Sequence, residues 1–150
     1  VRLQSDRPIV AGFAAERGAD VAYGAATRPL GADGGLVADN RFAASLLLTA
    51  PDAGATVRVT PVGPSGAGNA QEVKVPAGGT AEAKLSAPQG AGGGYAVLVA
   101  PRPGSGPVYA ARVLATGKGD KGLVTVLPIN PAWTTMLLPP ADDSQRAVFP

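Results

Sequence analysis

Trp133, Asp142 and Asp143 are the residues whose types best suit contact with a ligand or partner. Trp133 is the only Trp of the chain and lies between the turn Asn130-Pro131-Ala132 and the strand-like Thr134-Thr135. An indole placed there can stack on a sugar ring, anchor a protein partner, or cover the end of a core. Asp142-Asp143 is the only adjacent pair of carboxylates. A glycosidase holds two carboxyls roughly 5 to 9.5 Å apart across its sugar, but neighbours in an extended segment point in opposite directions. The pair would therefore need an outside partner such as Asp120, and no calcium-loop spacing surrounds it. Its alternative reading is a surface turn.

The rest of the inventory excludes more than it offers. With His 0 and Cys 0, the chain lacks the usual general base near neutral pH, the commonest transition-metal ligand, thiol nucleophiles and disulfides. A Ser-Lys dyad is the simplest nucleophilic arrangement left. Ser65, Ser86 and Ser105 sit in no S-x-x-K spacing and in no G-x-S-x-G elbow, and Ser65-Gly66 and Ser105-Gly106 read as turns. Gly117-Lys118-Gly119-Asp120-Lys121-Gly122 has the letters of a dinucleotide loop, yet Leu123-Val124-Thr125-Val126-Leu127 follows it as a strand, where the fingerprint needs a helix N-terminus. The Gly90–Gly94 stretch leads into Tyr95 without the Lys-Ser or Lys-Thr of a P-loop. No catalytic, cofactor-binding or metal residue is assigned, and the reading is of a protein that is not an enzyme. A net charge of +2 with scattered Lys and Arg gives no footprint for nucleic acid.

The elements that would position these residues are strands. Gly 21 and Pro 15 among 150 residues exclude long helices, since each costs about 1 and about 3 kcal/mol in a helix interior, while 45% apolar residues supply a core. Short β-branched or alternating runs bounded by Gly, Pro, Asn or Asp predict strands over Val1–Gln4, Ile9–Ala15, Asp20–Ala25, Gly35–Ala38, Ser45–Ala50, Thr56–Val62, Gln71–Val75, Thr80–Leu85, Tyr95–Ala100, Val108–Ala115, Leu123–Leu127 and Thr134–Leu138. Asp39–Leu48 also fits a short capped helix, with Phe42 and Leu46 at i, i+4. The spacing of the strands predicts an all-β fold, an Ig-like β-sandwich with flanking β-segments. No run approaches the roughly 20 apolar residues of a spanning helix. The start at Val1 without Met reads as a fragment or mature portion.

Within Gln71–Leu85, Val73 and Val75 alternate with Glu72 and Lys74, and Ala81, Ala83 and Leu85 with Glu82 and Lys84. A hairpin with Val75 opposite Ala81 would set Lys74 against Glu82 and Glu72 against Lys84, opposite charges worth roughly 0.2–1 kcal/mol per pair. A crossover that puts the two strands in different sheets is the competing geometry. Val1-Arg2-Leu3-Gln4 followed by Pro8-Ile9-Val10-Ala11 resembles Val97-Leu98-Val99-Ala100 followed by Pro107-Val108-Tyr109-Ala110, and Asp20 to Leu30 aligns loosely with Asp120 to Ile129. These matches read either as an internal duplication or as chance in an Ala-, Gly-, Pro- and Val-rich chain. The predicted organisation is an Ig-like unit over 45–116, closed by a hairpin from Tyr95 to Leu114, with 1–44 and 117–150 as flanking segments that form a second, partial sandwich if the duplication holds. Tyr23, Tyr95 and Tyr109 read as aromatics at the core edge.

The phrases Leu46 to Val62, Val73-Lys74-Val75-Pro76-Ala77-Gly78-Gly79-Thr80 and Gly106-Pro107-Val108-Tyr109-Ala110-Ala111-Arg112-Val113-Leu114 resemble an uncharacterised family of actinobacterial β-domain proteins. The resemblance implies an extracytoplasmic protein, exported or anchored outside the membrane and encoded near a large glycosyltransferase, with no catalytic residue to carry over. Together these readings give a non-enzymatic structural or partner-docking module at the cell envelope, whose partner is a protein or an envelope glycan. The alternative is a carbohydrate-binding module using Trp133 and a nearby carboxylate, or an accessory subunit of a glycan-assembling enzyme.

Overall fold

A computed structural model describes residues 3–37, 40, 44–91, 94–117 and 123–131. Its strands, in chain order, are β1 (Gly12–Arg17), β2 (Asp20–Ala25), β3 (Gly35–Val37), β4 (Ala44–Ala50), β5 (Ala55–Gly63), β6 (Gly66–Ala67), β7 (Gln71–Val75), β8 (Gly79–Lys84), β9 (Ala96–Pro101), β10 (Tyr109–Thr116) and β11 (Leu123–Pro128). No helix occurs among the described residues. The segment that also suited a helix forms a strand from Ala44 onward, because alternation buries Ala44, Leu46, Leu48 and Ala50 on one side. That is a period of two, which a strand satisfies and a helix does not.

Two antiparallel sheets enclose one core. The first runs β11-β10-β4-β8; the second runs β3-β9-β5-β6, with β7 also paired to β5. Leu46 and Leu48 of the first sheet and Val57, Val59, Val97 and Val99 of the second share a single buried cluster. Burying each such side chain contributes roughly 1.5–3 kcal/mol. The chain is thus all-β and sandwich-like. β3, from the N-terminal flank, pairs with β9 (Leu36 opposite Leu98), and β11, from the C-terminal flank, pairs with β10 (Val113 opposite Val126). Gly34 enters β3 with φ +71°, and a Cβ there would stand 2.2 Å from the Val99 carbonyl oxygen, so only glycine lets this strand close on β9.

Three sequence expectations are corrected. β7 and β8 do not form a hairpin. β7 pairs with β5 in one sheet (Glu72 opposite Arg58) and β8 with β4 in the other (Glu82 opposite Leu47), and the Pro76–Gly78 turn crosses between sheets with the Gly78 N–H donating to Ala50 O at 2.7 Å. Alternating apolar residues face a core equally well side by side or across a sandwich, and β5 supplies both an apolar partner strand and an arginine opposite Glu72. For the same reason β9 and β10 lie in different sheets and not in a hairpin. Residues 3–11 form no strand: Leu3, Ile9 and Val10 are exposed, and the first strand starts at Gly12.

β1 and β2 make a separate two-stranded ribbon joined through Gly18 (φ 60°) and Ala19, with Arg17 opposite Asp20. It rests on β11. The Asp20 carboxylate accepts the Val124 N–H at 2.7 Å, and the Thr27 hydroxyl donates to the Asn130 side-chain oxygen at 2.9 Å. Ala22 and Val126 are buried, as expected for the facing sides of the two elements.

Candidate functional site

Trp133, Asp142, Asp143 and Asp120 lie outside the described residues, as does Thr134–Leu138. Of the Gly117–Gly122 loop only Gly117 is described, at φ 73°, and the element after the loop is the strand β11. Among the described residues no three acidic side chains gather where they could hold a metal ion.

The described polar candidates are engaged in architecture. The Ser105 hydroxyl donates to Thr56 O at 3.2 Å and accepts the Thr56 N–H at 3.1 Å, so it completes the backbone bonding of the start of β5. Glu72 pairs with Arg102, whose Nε donates to Glu72 Oε1 at 2.8 Å, and the two span β5 on an exposed surface. Such a pair contributes about 1 kcal/mol or less. Glu72 and Glu82 stand in different sheets.

The most structured polar site belongs to no sequence motif. Asn40, 2% exposed, joins three parts of the chain. Its side-chain amide nitrogen donates to Val37 O at 3.2 Å and to Tyr95 O at 2.9 Å, and its oxygen accepts from Arg112 Nη1 at 3.3 Å. Its own N–H also donates to Tyr95 O, at 3.0 Å. Arg112 is buried because it is in phase with Val108 and Ala110, the inward side of β10. A charge on the inward phase of an otherwise apolar strand is the signal that reveals it, and it stands in the sequence itself. The arrangement offers no nucleophile and no general base. It is a brace between the end of β3, the start of β9 and the middle of β10.

Tyr95, also buried beside this brace, has its phenol raised above the ordinary tyrosine range by desolvation. The unfolded chain therefore ionises first as pH rises. The contribution is fully present below the ordinary tyrosine pKa and is lost as pH climbs through the raised folded value. Tyr95→Phe is expected to flatten the alkaline decline of the urea midpoint, and an unchanged decline would assign that loss to other groups.

Among the described residues two surfaces bear on function. One is an uncharged open cleft of about 620 Å³ between the β5–β6 turn and residues 86–90, with Ser65, Asn69, Ser86, Gln89, Pro61 and Pro88 among its lining residues. The other is the ribbon. Register puts Ala14, Tyr23, Glu16 and Val21 on the side away from the one that carries Asp20 and Ala22, and Tyr23 is 79% exposed. This corrects the expectation of a core-edge Tyr23: the face its strand turns to β11 is the one carrying Ala22. On that same Ala22 face Phe13 lies against Gly24, where a Cβ would come within 2.4 Å of the ring.

A family of unknown function, DUF5719, matches residues 1–86, more than half of the chain. The chain belongs to this family. Among curated proteins and among solved structures nothing matches. The DUF5719 match takes in the ribbon, the cleft-forming β5–β6 turn and the edge strands β7 and β8. Strands β9, β10 and β11, which complete both sheets, follow it. No site residue comes with DUF5719 membership. Among the described residues no helix is long and apolar enough to cross a membrane.

Proposed function

We propose that this DUF5719 chain is a non-enzymatic structural and protein-docking module of the cell envelope, working outside the cytoplasmic membrane. The observation that carries the reading is the outer face of the β1–β2 ribbon, where Tyr23 and Val21 stand exposed on an element outside both sheets. A large exposed aromatic on an apolar surface is the kind of residue that dominates protein–protein contacts. The use of Ser105, Asp20, Thr27 and Asn40 to hold backbone supports a scaffold role in the same way.

The test is a photo-reactive phenylalanine analogue at position 23 of the full-length protein in its own cells. The expected result is a covalent adduct with one defined envelope protein, lost when Val21→Asp is added. No adduct, or one indifferent to Val21→Asp, would reject the docking reading. An adduct with glycan would instead favour the carbohydrate-binding or glycan-assembly reading, for which the uncharged cleft of Ser65, Asn69, Ser86 and Gln89 is the supporting surface.

A further inference from the structure

β8 is the outermost strand of its sheet: it pairs with β4 on one side and with no strand on the other among the described residues. The Leu85 N–H bonds to Ala44 O at 2.9 Å, so the main-chain groups of Ala83 and Ala81 also turn toward β4, and those of Thr80, Glu82 and Lys84 turn outward. The Lys84 carbonyl accepts the exposed Gln71 side-chain amide at 3.3 Å, which confirms that direction. The side chains of Glu82 and Lys84 are exposed on the outer face of the sheet, and neither has an ion-pair partner among the described residues.

An edge strand of this kind is a template for another strand, and proteins usually blunt it with charge. Charge of one sign repels a second copy in every register. β8 carries alternating charge of opposite sign, so the result depends on register. In antiparallel pairing of two copies about Ala83, Glu82 meets Lys84 of the second copy, and by symmetry Lys84 meets Glu82. These outward-turned residues then exchange N–H···O=C bonds, the Lys84 carbonyl accepting through its second lone pair beside the Gln71 amide, while Ala83 faces Ala83 on the inner side. Centring the pair on Glu82 or on Lys84 sets like charges against each other, centring on Ala81 leaves both charges without a partner, and a one-residue slip turns the apolar side outward. One register alone satisfies backbone, charge and face together.

We propose that β8 is a self-recognition edge through which two copies of this chain join their four-stranded sheets by antiparallel pairing centred on Ala83. The partner is a second copy, because the charge order of the strand is complementary to itself. β7 repeats the Glu-x-Lys order, but Glu72 is already engaged by Arg102, so β8 is the edge with charge to offer. The association is weak and concentration-dependent, since the interface is a single strand edge, and it weakens further as salt screens the exposed pairs.

Sedimentation velocity of the full chain over a concentration series tests this. The wild type is expected to show a monomer–dimer equilibrium. Glu82→Lys and Lys84→Glu each convert two attractive cross-strand pairs into repulsive ones and are expected to weaken it roughly tenfold. The double exchange, Glu82→Lys with Lys84→Glu, rebuilds the complementary order and is expected to restore it. A wild type that stays monomeric across the series overturns the proposal. So do single reversals without effect, or a double exchange that keeps the wild-type melting temperature yet does not recover the dimer.

Discussion

Leu48→Ala is expected to destabilise the chain by about 4 kcal/mol, whereas Leu47→Ala next to it is expected to cost about 1 kcal/mol. Leu48 is fully buried in β4, between Ala110 of β10 and Ala81 of β8 in register, and belongs to the cluster shared by both sheets. Its flanking partners are alanines, which are too small to swing into the space a shortened side chain leaves. The loss of transfer free energy is then joined by that of an unfilled cavity. Leu47 lies on the other side of β4, half-buried between Ala111 and Glu82, where water fills the vacated space. Native domains are stable by about 5–15 kcal/mol, so the first variant removes a large share of the total. Urea midpoints of the two variants give the comparison. Equal losses, or a larger loss for Leu47→Ala, would mean that β4 presents its other face to the core.

How far the sequence carried this reading varies from strand to strand for a physical reason. Asp20–Ala25 and Gln71–Val75 were legible to their end residues, because turn-forming residues bound them and alternation runs through them. What alternation reports is the face a side chain takes, and it is silent on which strand lies alongside. Val73 and Val75 point to the core whether β8 lies beside β7 or across from it, so the hairpin and the crossover had the same pattern, and the choice fell to β5 with its Arg58 opposite Glu72. The ribbon failed differently. Tyr23 suits either face of a two-stranded element, and packing against β11, through Asp20 and Ala22, selected the other one. Ligand contacts inferred at Trp133, Asp142 and Asp143 fall outside the described residues. Arg112 was legible and passed over, since a charged residue two positions beyond Ala110 and four beyond Val108 is in phase with the core. Asn40 was not. Its value as a brace depends on Tyr95 and Arg112, 55 and 72 residues away, and no local pattern encodes such distances.

That brace makes Asn40→Ala the strongest test of how the N-terminal flank is held, with an expected loss of about 3 kcal/mol and a melting temperature lower by about 10 °C. The alanine removes a donor to two carbonyls, those of Val37 and Tyr95, and an acceptor for Arg112. Each buried polar group left short of a partner costs about 1–3 kcal/mol. Asn40→Asp separates the two halves of the role. A carboxylate retains the bond to Arg112 and strengthens it by charge, yet it can no longer donate to the carbonyls and sets a negative oxygen against both. If the tie to Arg112 dominates, Asn40→Asp will be close to wild type in thermal unfolding. If the carbonyl bonds dominate, it will fall with Asn40→Ala, and amide exchange will rise first in β3, a three-residue edge strand held by the β9 ladder, the burial of Val37 and this side chain. The second outcome is expected, because two of the three side-chain bonds of Asn40 are donated to carbonyls and only those reach the ends of β3 and β9. Wild-type stability in both variants would show that β3 stays in its sheet without the brace.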